Sequence, residues 1–581
     1  WFLFFLGVAD LFSTATFAAT FALSAFGLLA ARTWKPLEMP RLGPFGWAVA
    51  ATLAVSGAFD LLQALAPQAD ADTLAYHLQN PKTYLSAGGL VFIPRALDGA
   101  APFLPHMTYT ALLGLGGECA ASLWFMVLGW GSAALVYGAA RRYLPSETAL
   151  GLAALFKTLP AVVYGAGNGQ VEVKLAGLVL IAALAVSDAR RDGSWRYAAL
   201  AGLATGFLVA SKLTGLLIGL AAGLALLAWS RRPLAVAIFG VAAVVAGAQW
   251  MAWNYWMSGD PLFPMLYGVL DYLPDIPWTD GQHAAFLSVE QSETAVPKSA
   301  LWFLLYPLKA TIEPSPIFES DRTGFGPFAL MILPLTMLGA WRARERLVSH
   351  PLAPPAAILI GFYALWFFLG PSQRVRHYLP ILSVLFLCAT VAAVKAEAGA
   401  RRLVGAAVAV TLAIQIAGAA MFTAKFARWL LSDADRSAFF AANVNNYAPV
   451  PWINANLKPT DRLFLDQRNL LYLIDIPVLL GHPWLSAEVE IRDDNVDAGL
   501  FYRQLRTKGV THVLAHDPRP GEIGGNTGLT GQLARAGCAA QVRTFEARHF
   551  VSRTVKSLGG GTATLGLYAL LDRCAIADRP P

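Results

Sequence analysis

Apolar runs of roughly 20 residues recur along most of this chain, separated by short polar connections. They cover about 1–31, 45–66, 119–140, 147–165, 171–187, 197–211, 213–230, 233–253, 326–341, 352–370, 378–394 and 403–424. A helix crossing a bilayer needs about 20 apolar residues, so the pattern predicts an α-helical polytopic membrane protein of about 12 spans. The connections at 167–170 and 211–212 are short enough to make tight helical hairpins. Beyond about residue 432 the period changes. Residues 460–466 (TDRLFLD) and 510–516 (VTHVLAH) read as short buried strands, 500–508 has helical spacing, and 545–571 reads as a hairpin of strands around residues 559–561. Strand–helix–strand alternation predicts a small α/β domain over 432–581, following a membrane module over 1–431.

Composition agrees. The chain is 56% hydrophobic and only 14% charged, against about 25% charged in a typical soluble protein. A net charge of +7 would suggest nucleic acid for a soluble protein. Here it traces to helix ends: Arg32, Lys35 and Arg41; Arg141 and Arg142; Arg190, Arg191 and Arg196; Arg231 and Arg232; Arg342, Arg344 and Arg346; Lys395, Arg401 and Arg402. These loops alternate along the chain, which makes them cytoplasmic by the positive-inside rule. The intervening connections then face outward: 67–118, 166–170, 211–212, 254–325, 371–377 and everything after about 425. The chain starts at Trp1 already inside an apolar run, as expected if a helix precedes it. Of four cysteines, Cys119 and Cys388 fall in apolar runs, where a packed thiol is expected. Cys538 and Cys574 can pair in a disulfide if the C-terminal part is extracytoplasmic. No Cys/His spacing resembles a zinc site.

The candidate chemistry begins with Asp70-Ala-Asp72, just outside the run 45–66 and followed by Tyr76 and His77. Carboxylates at that depth are costly and tend to be functional. The plainer reading is a loop in which Asp72 caps a helix starting at Thr73. Cations converge on the same outward face from distant sequence: Lys212 at the tip of a hairpin, Arg374 and Arg376 with His377 before a late span, and Lys82 and Arg95 in the first outer loop. Outward positive charge opposes the positive-inside bias, so an anion is expected to hold it there. A phosphate on a lipid carrier suits Arg forks and a Lys point charge; snorkelling toward headgroups is the competing account. A carboxylate beside an anionic leaving group suggests glycosyl transfer. The acid would take the acceptor hydroxyl's proton, and the cations would stabilise the departing phosphate.

Several segments resemble one family. Asp72-Thr-Leu-Ala-Tyr76 followed by Gly88 is similar to the D-x-x-x-Y…G first-loop motif of the GT-C superfamily of membrane glycosyltransferases. The branch it resembles is the bacterial one containing the aminoarabinose lipid A transferase and relatives of the protein O-mannosyltransferases. A glycine-rich helix ending Ser211-Lys212-Leu-Thr214-Gly215, the segment Asn254…Gly259-Asp260-Pro261…Pro264, and Arg374-Val-Arg376-His377-Tyr378-Leu-Pro380 resemble further elements of that family. The likeness covers roughly residues 45–425. It implies a GT-C-like fold in a bacterial inner membrane, with active site and C-terminal domain extracytoplasmic. It also implies a polyprenyl-phosphate-sugar donor, a lipid, glycan or protein acceptor, Asp72 as base with Asp70 beside it, and Lys212, Arg374, Arg376 and His377 at the donor phosphate. The sequence departs from the family at two points. The family's P-D-E reads Ala71-Asp72-Thr73, and its K-P-P is replaced by Leu104-Pro105-His106, so the group meeting the phosphate there is not inherited.

Other residues are candidates for substrate contact. Tyr76 and His77 follow the acid, although a histidine there more often packs. Glu172 and Lys174 open a span beside Asn168 and Gln170, where they either position sugar hydroxyls or pair with each other. Glu319, Asp321 and Arg322 lie near Gly324-Phe-Gly326 in a loop that suits a flap over the site. Asp60 and Lys157 sit within spans, where Asp60 either pairs with a neighbouring helix or extends the acidic site. Asp70 and Asp72 have a form that suits a divalent cation, but the Lys/Arg set can neutralise a phosphate without one; no cofactor and no metal ligands are expected. The alternative function is a transporter or flippase of lipid-linked glycans, which would show repeated halves and ionisable groups at the midplane. No such repeat is evident. A noncatalytic assembly or sensor protein is the third reading.

Overall fold

The structure, a computed structural model, describes residues 1–31, 41–230, 232–313, 325–492, 494–518, 521–550 and 560–577. Among them five helices are long and apolar enough to cross a membrane: Pro44–Leu65, Leu104–Arg141, Pro233–Ser258, Val375–Val394 and Ala400–Leu430. A bent pair, Ser146–Thr158 with Pro160–Ala166, makes a sixth if counted as one span. Thr14–Ala30, Gly215–Ser230, Ala300–Ile312, Phe328–Arg342 and Ala353–Leu369 are apolar but shorter. The helical membrane architecture expected from the pattern is present; the figure of about 12 spans is not established.

Two expected runs are interrupted and a third is part of a longer, broken helix, each for a local reason. The first splits into Phe2–Val8 and Thr14–Ala30, with Ser13 capping the second through Thr16 N at 3.2 Å. The run over 147–165 bends by 66° between Thr158 and Pro160, because proline cannot donate to the preceding turn and pushes Leu159 out of helical geometry. The run at 119–140 is the inner part of Leu104–Arg141, which breaks at Gly116 and Gly117; Gly117 has φ +68°, a value glycine adopts without a Cβ clash. The break at Leu159 matters for function, since it aims Tyr164 back at the acidic segment.

After Ala400–Leu430 the chain builds a five-stranded mixed sheet from β1 (Leu463–Leu465), β2 (Val478–Leu480), β3 (His512–His516), β4 (Ala539–Phe550) and β5 (Gly560–Leu570), in the order β2-β1-β3-β5-β4. The first three strands in that order are parallel, with Leu463 opposite both Val478 and His512, and β5 runs antiparallel to β3 and β4. Both expected strands and the helix (Ala498–Thr507) are found; β4 and β5 pair as a hairpin, but Gly560 and Gly561, expected at its turn, lie in β5, and β2 and the helix Gly525–Arg535 were not read from the sequence. Cys538 and Cys574 form a disulfide. Because side chains alternate across a strand, Phe464 packs on Phe501, Leu505, Leu529 and Leu533. Leu463 and Leu465 face the other way, onto Phe426 at the end of the last membrane helix and onto Ala66 and Leu74. Fully burying such side chains stabilises by roughly 1.5–3 kcal/mol each. The sheet's inner core is therefore continuous with the loop that carries Asp72.

Candidate active site

The segment Thr73–His77 is a π-helical turn, closed by Leu78 N donating to Thr73 O at 2.8 Å. Such turns are rare and often functional. The helix that follows, Gln79–Ala87, ends at Gly88 with φ +73°, which accounts for the glycine of the first-loop motif. The expected helix cap is present but belongs to the other acid. Asp70 Oδ2 accepts from Thr73 N and Thr73 Oγ1, both at 2.9 Å, while its Oδ1 accepts from the Tyr164 hydroxyl. Asp72 makes no capping bond. It is buried and receives two guanidinium groups: Arg376 donates to Oδ2 at 2.6 Å, and Arg468 to Oδ1. The two acids thus serve different partners and do not form a joint chelate. Among the described residues no three His, Cys, Asp or Glu side chains converge as metal ligands would.

Arg376 was read from the sequence; Arg468 was not. Arg468 begins the 3₁₀ helix Arg468–Leu473 directly after β1, so the soluble sheet delivers it into the membrane module's acid site. Its second nitrogen lies 3.3 Å from Asp98 Oδ2, and its guanidinium stands over the Tyr76 ring at 5.8 Å. Burial opposes its charge, but Asp72 and Asp98 outweigh that cost and push its pKa above the usual arginine value. The available signal was positional: ligands gather at the carboxyl ends of parallel strands, and Arg468 stands three residues beyond the end of β1.

The other cations meet carboxylates too. Lys212 pairs with Glu172, and Arg374 pairs with Glu293 at 2.7 Å. The alternative Glu172–Lys174 pair does not form; the Lys174 ammonium instead donates to the carbonyls of Gly165, Asn168 and Gln170 at 2.6–2.7 Å. Lys82 leaves the acid site and binds the carbonyls of Tyr472 and Ile474 at 3.1 and 2.9 Å, tying the first outer loop to the soluble domain. Arg95 is buried beside Asn80 and Asp98. Asp60 pairs with Lys157 at 2.6 Å and accepts from Trp130, so it forms a link between helices and does not extend the acidic site. Asp321, with Glu319 and Arg322, lies outside the described residues.

His77 Nδ1 shares a hydrogen bond with His106 Nε2 at 2.8 Å, and both rings are buried against Tyr76 and Phe103. Burial holds His77 well below the usual histidine range, with Asp72 opposing, so the imidazole is neutral near pH 7. Burial, reinforced by Asp72, raises Tyr76. The charges of Asp72, Arg376 and Lys212 all act on His77, and those of Lys212 and Arg376 on Glu172. Asp72, Tyr76, His77, Glu172, Lys212 and Arg376 therefore form one cluster, with Asp70 at its edge and Arg374 turned toward Glu293. His377 shares the short helix Val375–Tyr378 with Arg376. At the far end of Arg468–Leu473 a cleft of about 810 Å³ opens between the membrane module and the soluble domain, lined by Lys82, Leu113, Arg436, Phe440, Tyr447 and Tyr472 among others.

Residues 102–256 match the family model of the dolichyl-phosphate-mannose-protein mannosyltransferases. The fold is similar to that of ArnT from Cupriavidus metallidurans bound to undecaprenyl phosphate, with TM-score 0.51 and 14% identity over 93% of this chain and 100% of that one. The apo form of the same protein gives TM-score 0.50 and 15% identity over 90% and 98%. An oligosaccharyltransferase from Archaeoglobus fulgidus in its apo form gives 0.44 and 13% over 81% and 69%. No curated protein matches the chain in sequence. The resemblance to GT-C glycosyltransferases read from the motifs is borne out by the family domain and by the ArnT fold. Glu172, Lys174 and Lys212 fall inside the matched segment; Asp72, Arg376 and Arg468 fall outside it.

Proposed function

We propose that this chain is an integral membrane glycosyltransferase that moves a hexose or pentose from a polyprenyl-phosphate carrier to an acceptor hydroxyl. Its active site would lie at the extracytoplasmic face of a bacterial inner membrane. The single observation that carries the reading is the buried Asp72 held among Arg376, Arg468, Lys212 and Glu172. A carboxylate beside several cations is what base-assisted displacement of a phosphate requires. The matched mannosyltransferase segment and an ArnT structure that holds undecaprenyl phosphate support a lipid-phosphate donor.

In the proposed reaction the acceptor oxygen gives its proton to Asp72 and bonds to the anomeric carbon. The bond from that carbon to the phosphate oxygen breaks, and its electron pair leaves with the phosphate. Lys212 and Arg376 hold the departing oxygens, with Arg374 and His377 at the rim; because phosphate is a good leaving group, one base suffices. Tyr76, His77 and Glu172 line the sugar side. Asp70, bound to Thr73 and Tyr164, fixes the turn from which Asp72 projects. Asp70 and Asp72 as arranged do not fit a shared metal, so no step is assigned to one. The aromatic and cationic cleft beside Tyr472 suits an acceptor approaching along the soluble domain.

The test compares lipid extracts from cells carrying the wild-type chain with those carrying Asp72→Asn, by mass spectrometry. The variant should accumulate a polyprenyl-phosphate-linked sugar and lack one glycosylated product. Identical lipid and glycan profiles would remove the proposal, and accumulation of a lipid-linked glycan on the cytoplasmic side alone would favour a flippase.

A further inference from the structure

Each oxygen of Asp72 faces a guanidinium, Oδ2 that of Arg376 and Oδ1 that of Arg468, and two cations on one carboxylate make it a poorer base. The two arginines differ in what else they can do. Arg376 belongs to the first turn of the membrane helix Val375–Val394. Arg468 belongs to the soluble domain and already has its other nitrogen 3.3 Å from Asp98 Oδ2. Asp98 is buried, yet its Oδ1 accepts no hydrogen bond, and the nearest cation to it, Arg95 Nε, stands 3.7 Å away. A buried carboxylate oxygen without a donor is costly, and a planar guanidinium can occupy both oxygens of one carboxylate. Asp98 thus offers Arg468 a better seat than the bridging one it holds.

We infer that Arg468 is a positioning residue which masks Asp72 in the resting site and uncovers it by moving onto both oxygens of Asp98, so that the soluble domain governs when the base is available. This rests on the reading of Asp72 as the base. The motion has a short path, because Arg468 need only rotate between two carboxylates it already touches. The element carrying it continues to Tyr472 in the wall of the cleft. An acceptor seated there would press on the same helix that carries Arg468. The masked state also protects the donor. With both guanidiniums on Asp72 the carboxylate is a weaker base, so water passes its proton to it slowly and little free sugar is released with polyprenyl phosphate.

The test uses the full chain, reconstituted with the donor-bearing lipid extract of Asp72→Asn cells, and measures free sugar against transferred sugar. Arg468→Gln uncovers the base permanently and should raise the ratio of free to transferred sugar by about tenfold or more. Asp98→Asn removes the second seat, leaves Arg468 on Asp72, and should lower both free and transferred sugar by about tenfold. A purely structural Arg468 would instead lower free and transferred sugar together in Arg468→Gln; that result, or an unchanged ratio, overturns the inference. If Arg468→Gln does not assemble, Asp98→Asn decides, and full activity there overturns it equally. Failure of the underlying reading looks different: the wild-type chain would then consume no lipid-linked sugar at all.

Discussion

Replacing Asp72 by asparagine keeps the side chain's shape and removes one negative charge from a site that holds two guanidiniums against it. Two effects follow, with opposite signs. General-base assistance contributes typically about 100- to 10,000-fold, which at about 1.4 kcal/mol per decade is roughly 3–5 kcal/mol of barrier. Turnover should fall by that much. Binding of an anionic donor should not fall, because the variant leaves Arg376 and Arg468 without their shared counter-charge and the pocket more positive. Single-turnover sugar release in reconstituted vesicles reads the first effect, and native mass spectrometry with undecaprenyl phosphate reads the second. Activity kept above about a tenth of wild type would remove Asp72 from the role of base. Loss of lipid binding in proportion to activity would recast it as a structural counter-ion for the two arginines.

Lys212→Ala should weaken undecaprenyl phosphate binding by about 10- to 150-fold, the worth of a charge-assisted contact, while the thermal midpoint moves little because Arg376 still acts on Glu172; an unchanged Kd would exclude Lys212 from the phosphate site. Serine at both Cys538 and Cys574 opens a link spanning 36 residues and should cost the soluble domain about 4 kcal/mol by loop entropy, visible as earlier proteolysis of the C-terminal part in the full chain; equal protease resistance would contradict it. Burial raises Asp466, at the end of β1, to about 6, with Asn526 opposing. Its proton is held in the folded state and lost in the unfolded one between the ordinary carboxyl range and that value, so stability falls as pH rises through this window. The loss is at most about 3 kcal/mol before solvent screening. Asp466→Asn should therefore flatten the pH dependence of the soluble domain's unfolding between pH 4 and 7, and an unaltered slope would refute the assignment.

The parts of this protein written in one-dimensional patterns were legible in its sequence. Apolar runs marked the membrane helices, because a bilayer imposes length and composition on each span separately. The strand Leu463–Leu465 was readable because a buried strand is an uninterrupted apolar run; β4 is largely exposed and starts at Ala539, ahead of the hairpin read from the sequence. Interruptions were less visible: Leu159-Pro160 sits inside a run whose average hydropathy hides it, although proline was the available warning, while Gly116-Gly117 stand just ahead of the run at 119–140 and break a helix longer than the one expected. At the site, Asp72 and Arg376 meet as the motif reading expected. Asp70 and Asp72 exchange the roles one would guess from order alone, because the helix begins at Ala71, before Thr73, and so puts Asp70 at its N-cap and Asp72 inside it. Arg468 was beyond reach for a different reason. Its partner lies 396 positions away, and what joins them is the continuous core running from Leu465 to Leu74, a product of tertiary packing that leaves no local trace.

That packing also accounts for the cations gathered at this end of the helical module. Lys212, Arg374, Arg376 and Arg468 each have a carboxylate partner, namely Glu172, Glu293 and the shared Asp72 with Asp98. An isolated guanidinium or ammonium in this half-buried setting would be strongly disfavoured, so the carboxylates hold the cations charged and ready. On the proposed reading, a phosphate entering the cluster would exchange partners with protein acids and would not fill a vacant cradle. Its net gain is the difference between two sets of ion pairs, which keeps affinity moderate and lets the product carrier leave. On the same reading, that exchange at Arg376 frees only Oδ2 of Asp72, while Arg468 still holds Oδ1 until it moves to Asp98.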